Sequence, residues 1–247
     1  MDRVIYVAMT GAKHVMHQQA VTTQNLANVT TEGYKAIQGA FRATPAFGPG
    51  LPTRTYAVAS TPAPDFTPGV LRHTGRDLDV AVQGKGWIAV EGRDGREAYT
   101  RAGSLVVSQN GLLQTRNGLN VLGDGGPVAI PADTDITVGN DGTVSTVPSG
   151  QTPNSVAVVG RIKLVNPPEA ELSRGDDGLF RLASGQSAAP DIGVRLAGSA
   201  LESSNVNVVE AMVNMIAHAR QYDLQVRLLQ SADTNARQAS QVLNLNA

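Results

Sequence analysis

The stretch Asn25-Leu26-Ala27-Asn28-Val29-Thr30-Thr31-Glu32-Gly33-Tyr34-Lys35 marks where a helical opening must give way to something else. Asn28 suits a helix C-terminal turn, Thr30 and Thr31 do not favour continuation, and Gly33 tolerates the left-handed φ that ends helices. Tyr34 then offers an apolar body that can pack back on the helix. Upstream, Met1, Ile5, Ala8, Ala12, Val15, Gln19, Thr22 and Leu26 recur at alternating spacings of four and three, the repeat of a coiled-coil seam. No proline precedes Pro45, so the spacing predicts a helix over 3–28, roughly 39 Å long at about 1.5 Å per residue.

Downstream the character changes. Six of the 13 prolines fall between Pro45 and Pro68. Proline fixes φ and lacks an N–H, so 36–75 reads as an extended, irregular connector. From 76 to 198 short β-prone runs alternate with turn signals. The runs include Trp87–Glu91, Ala98–Arg101, Leu105–Ser108, Leu112–Thr115, Leu119–Leu122 and Val156–Val165. The turns include Asp94-Gly95, Asn110-Gly111, Asn117-Gly118, Asp124-Gly125, Asp141-Gly142 and Asp177-Gly178, pairs that accept the positive φ of tight hairpins. This pattern predicts an antiparallel all-β domain.

Helical periodicity returns in 199–247. Val208, Met212, Met215, Ala219, Tyr222, Val226, Leu229, Asp233, Ala236, Ser240 and Leu243 repeat at four and three, and no Gly or Pro follows Gly198. Asn207 and Glu210 stand as a capping box. A helix over 208–243, roughly 54 Å long, needs a partner along its length, because a helix in water draws most of its stability from a buried face. The N-terminal helix covers part of it; neighbouring chains are expected to cover the rest. The expected fold class is therefore α+β, with long terminal helices packed as a coiled-coil-like region beside a central antiparallel β domain. The expected division is 1–35, 36–75, 76–198 and 199–247.

Composition removes several function classes. The chain has 247 residues, with 20 Lys+Arg against 21 Asp+Glu. That balance speaks against nucleic-acid binding and against a polybasic membrane surface. With 0 Cys there is no disulfide, thiolate nucleophile or Cys-ligated metal. No apolar run reaches the roughly 20 residues of a membrane span, so no membrane insertion is expected. The start Met1-Asp2-Arg3-Val4 lacks the pattern of a cleavable signal peptide.

Catalytic patterns are thin. His14 and His17 share a helix face but sit in no metal-binding frame. Gly84-Lys85-Gly86 precedes a strand rather than a helix, which suits a tight turn and not a phosphate loop. Asp77 and Asp79 are the one candidate carboxylate pair, with only Trp87 and Tyr99 as nearby aromatics. No catalytic residue, cofactor or metal is expected. A secreted β-rich polysaccharide-acting enzyme is the alternative of a different class, and this pair is its only support.

The opening stretch closely resembles the signature of the bacterial flagellar rod and hook proteins, Asn-Leu-Ala-Asn, two residues, Thr, one residue, Gly, aromatic, Lys. Leu201–Met212, Ala219-Arg220-Gln221-Tyr222 and Ser231-Ala232-Asp233 resemble that family's C-terminal helix, and Leu78–Trp87 and Tyr99–Ser104 its β-domain entry. Met1–Ala12 and Asp65–Arg72 are similar to the proximal-rod branch, with the distal-rod branch as the nearest rival. The resemblance implies a structural subunit of the basal-body rod in the periplasm, exported by the flagellar type III apparatus without a cleavable signal. Its implied partners are copies of itself, other proximal and distal rod subunits, and that export apparatus. The implied assembly residues are Asn25, Leu26, Ala27, Asn28, Thr31, Gly33 and Tyr34 of the signature, and Met212, Met215, Tyr222, Val226 and Leu229 of the C-terminal seam.

Overall fold

The structure is a computed structural model, and it describes residues 2–45, 55–60, 63–148 and 156–244. The chain divides into two compact units. One comprises Met1–Val29, Ala36–Asp65 and Val206–Ala247; the other comprises Thr30–Lys35 and Phe66–Asn205. The fold is α+β, with a helix at each end and an antiparallel β region between.

The first unit is built on α1 (Asp2–Ala27) and α2 (Val208–Asn244). The seam expected on α1 is its buried face: Ala8, Ala12 and Val15 are buried, and Ile5, Gln19, Thr22 and Leu26 are half-buried. Gly11 lies against the Gln225 side chain, and His14 lies close enough to His218 for their charges to interact. Contact positions that rise on one helix as they fall on the other make the pair antiparallel. On α2 the side turned from solvent runs through Ala211, Met215, His218, Gln225, Leu229, Ala232 and Ala236. The seam read from sequence shares Met215, Val226, Leu229 and Ala236 with this turned-in side. It departs at Val208, Met212, Ala219, Tyr222, Asp233 and Ser240, which are exposed. A fixed four-and-three spacing runs through Ala219 and Tyr222, whereas α1 receives the neighbouring His218 and Gln225. Bulky apolar residues are thereby left on the outside of α2.

Asn207 starts α2 as expected, its Oδ1 accepting the N–H groups of Val209 and Glu210 at 3.0 and 3.2 Å. The stretch read as an irregular connector is strand-paired in part, while residues 65–70 lie in no strand. Phe41–Pro45 runs antiparallel to Thr55–Ala59, and Ile37–Gln38 to Ala63–Pro64, with Pro45 and Pro64 at strand ends where their missing N–H does least harm. Much of the cluster of prolines read as structure-breaking lies at 46–54 and 61–62, outside the described residues.

In the second unit every pairing between strands is antiparallel. A five-stranded sheet runs Leu164–Val165, Trp87–Glu91, Glu97–Thr100, Phe180–Leu182, Leu172–Arg174. Trp87–Glu91 is buried on both faces, and the alternation of side chains along a strand feeds two cores. Ile88 and Val90 join Val80, Leu105, Leu113, Val144 and Leu196 on one side; Trp87 and Ala89 join Tyr99, Val165 and Phe180 on the other. Phe180 stacks tilted on Trp87 at 4.6 Å between ring centroids, and the Tyr99 oxygen accepts the Ala188 N–H at 2.7 Å. Five of the six turn pairs carry φ between +73° and +86° on their glycine; at Asp124-Gly125 the positive φ falls one residue later, on Gly126. Two further strands, Leu71–His73 and Arg195–Gly198, pair with Ala200–Glu202 and Val80–Gln83, so the ends of the unit close on each other.

Candidate functional site

The signature does two jobs in two places. Its first half finishes α1. Asn25 accepts the Ile37 N–H at 2.9 Å and donates to the Ile37 carbonyl at 2.8 Å, so one amide reproduces a pair of strand hydrogen bonds and holds the returning chain to the helix. Asn28 donates its side-chain amide to the Gln24 carbonyl at 2.9 Å, a second bond beside the one from its own backbone N–H, and so fixes the helix end. Leu26 is half-buried and Ala27 exposed.

Its second half belongs to the β unit. Tyr34 N–H reaches the Thr31 carbonyl at 3.4 Å, turning the chain, and Gly33 takes φ +64°. A Cβ on Gly33 would collide with the backbone of Arg101, so glycine is required both for φ and for space. The Tyr34 ring is buried, with the Arg174 guanidinium of the β unit over its face, 4.5 Å from the ring centroid.

The next residue organises the centre. Lys35 is fully buried, and its Nζ donates to Glu202 Oε1 at 2.7 Å and to the Thr67 carbonyl at 2.9 Å. Glu202, equally buried, also accepts the Gly69 N–H at 2.8 Å and Arg101 at 2.9 Å. Arg101 in turn donates to the Gly84 carbonyl at 2.7 Å and lies 5.2 Å from the centre of the Trp87 ring. Charges removed from water are tolerable only when paired and hydrogen-bonded, and each of these three is. Backbone bonds reinforce them: Gly33 N–H to the Glu202 carbonyl at 2.8 Å, Asn205 N–H to the Tyr34 carbonyl at 3.3 Å, and Ser203 N–H to the Val70 carbonyl at 2.9 Å. No local sequence pattern assigns a role to Lys35, Arg101 or Glu202.

The helices supply the other candidate surface. Met215, Val226 and Leu229 are half-buried on the inner side of α2, Tyr222 stands at its margin, and Met212 is half exposed. Beyond them Val209, Val213, Ile216, Leu224 and Leu228 form an exposed apolar stripe along α2, and Tyr6, Met9 and Met16 stand exposed on α1.

The catalytic candidates have structural occupations. Asp79 is buried and accepts from Thr74 at 2.8 Å and Arg76 at 3.2 Å, while Asp77 is exposed. Gly84 and Gly86 hold positive φ in a turn, with Lys85 paired to Glu169. His14 is stacked 4.2 Å from Phe41, both ring nitrogens buried without a hydrogen bond. Burial pushes its pKa down from 6.5, and nearby His17 and His218 push it the same way. Among the described residues, no His, Asp and Glu side chains gather as a metal site and no helix is long and apolar enough to cross a membrane.

Three family models match the chain: the flagella basal body rod protein model over residues 5–35, the flagellar hook protein FlgE/F/G D1 domain over 81–146, and the flagellar basal body rod FlgEFG protein C-terminal model over 197–242. The flagellar basal-body rod proteins FlgF of Escherichia coli K12 and of Salmonella typhimurium LT2 are each 46% identical, with all of both chains covered. The rod protein FlgG of Agrobacterium fabrum is 32% identical over 95% of this chain and 97% of its own. The signature that closes α1, the clasp it forms with Glu202 and the C-terminal helix thus fall within matched segments, and the chain belongs to the flagellar basal-body rod protein family.

Proposed function

We propose that this chain is a structural subunit of the proximal rod of the flagellar basal body, of the FlgF type. The observation that carries the reading is the exposed apolar stripe of α2. Five bulky aliphatic residues along one side of a helix are costly in water, and because each is already partly covered, burial against neighbours recovers a part of the about 1.5–3 kcal/mol that fully burying such a side chain is worth. In the assembled rod these helices pack coiled-coil-like against those of copies and of other rod subunits, forming a stiff tube that transmits torque and surrounds the export channel. The role is non-enzymatic, in keeping with the structural use of Asp79. The site of action is the periplasmic part of the basal body, reached through the flagellar type III export apparatus.

The test is Ile216→Asp, on the outer side of α2 and away from α1. The isolated variant melts like wild type, yet basal bodies purified from a strain carrying only this variant lack the chain and the cells do not swim. Wild-type incorporation would remove α2 from the assembly surface.

A further inference from the structure

We propose that the Glu202 clasp is the mechanical root of the β unit: a load applied where the chain enters it at Thr30 and leaves it at Asn205 is carried across the clasp in shear, bypassing the β core. Gly33 bonds to Glu202, and the next residue, Tyr34, bonds to Asn205, further along in the same sense. The two segments therefore run in the same direction. Pulling the first by its N-terminal side and the second by its C-terminal side slides them past each other. Their backbone bonds and the Lys35–Glu202 ion pair are then strained together rather than one after another.

The ion pair joins residues 167 apart in sequence, so the core from Val80 to Leu196 lies wholly inside the loop that it closes. The pair is also buried, so water cannot replace its bonds as they lengthen. A third segment is tied to the same place, because Gly69 donates to Glu202 and Lys35 to the Thr67 carbonyl. Each point at which the chain passes between the two units is thus within a few residues of the clasp. The rod reading gives the load a source in torque, but the property belongs to the chain and is measured on it alone.

The absence of native cysteine makes the experiment direct. The full chain carrying Thr30→Cys and Val209→Cys is held by these positions in an optical trap. Two ruptures are expected: a short one at the clasp, then a long one as the core unravels. Glu202→Gln speeds the first rupture at fixed load by about tenfold or more, as loss of a charge-assisted bond implies, and leaves the second unchanged. Lys35→Met, which leaves Gly69 and Arg101 bonded to Glu202, serves the same purpose where Glu202→Gln fails to fold. Leu229→Asp weakens the α1–α2 pairing and leaves the first rupture unaltered. A single rupture of the whole unit, a first rupture insensitive to both clasp variants, or one that is lost in Leu229→Asp would each overturn the proposal.

Discussion

At the scale of residues, Gly33 and His14 show how a side chain, or the lack of one, is set by its surroundings. Gly33→Val asks for a β-branched residue at φ +64° against the Arg101 backbone. It is expected to cost well over about 1 kcal/mol and to lower the melting temperature of the full chain. A melt unchanged from wild type would sink that reading. His14 makes a prediction in pH. Its folded pKa lies below 6.5, so the unfolded chain binds the proton more readily. The contribution of the neutral ring is complete above 6.5 and is lost as pH falls from there through the lowered folded value. Melting temperature should drop between about pH 7.5 and about pH 5.5, and His14→Leu should flatten part of that drop. The signature's Gly33 was legible in the sequence because only glycine is at ease at positive φ. The partner of Lys35 was not, because Glu202 is brought to it by strand pairing that no local pattern encodes.

The two helices extend this lesson to elements. Their ends were readable to within a residue or so, since caps and the absence of proline are local signals. Which side of α2 meets α1 was not, because two apolar lines compete on that helix and only the packed partner selects one. The antiparallel arrangement also sets a length mismatch. α1 has 26 residues and α2 has 37. With Gly11 against Gln225, α1 begins opposite about residue 234, and the final turns of α2 extend roughly 15 Å further. Isolated chain should therefore exchange its amide hydrogens rapidly after about residue 234, and assembly into a rod should slow them. Equal protection in both states would mean that these turns have no neighbour in the assembly. Leu229→Asp tests the inner side: it should unpair the helices and abolish incorporation while the Trp87 fluorescence of the β unit stays native.

For the molecule as a whole, the antiparallel β region was legible from its turn pairs, whereas the pairing of its first and last strands was hidden by their separation in sequence. This has a measurable consequence. A fragment of residues 76–198 retains nearly all of both cores and should unfold cooperatively, but it lacks Leu71–His73, Ala200–Glu202 and Phe66. A fragment of residues 66–205 restores these and should melt several degrees higher, in line with a gain of about 1–2 kcal/mol. Identical melts would make the closing strands ornamental. Because those strands bring the ends of the β stretch together, the distance between its ends is set independently of how much chain lies between them. In engineering terms the region from Leu71 to Leu201 is a cassette with a fixed socket. Sequence grafted into its outer hairpins, such as the turn at Asp94-Gly95, can lengthen the cargo without altering the spacing between the two ends of the socket.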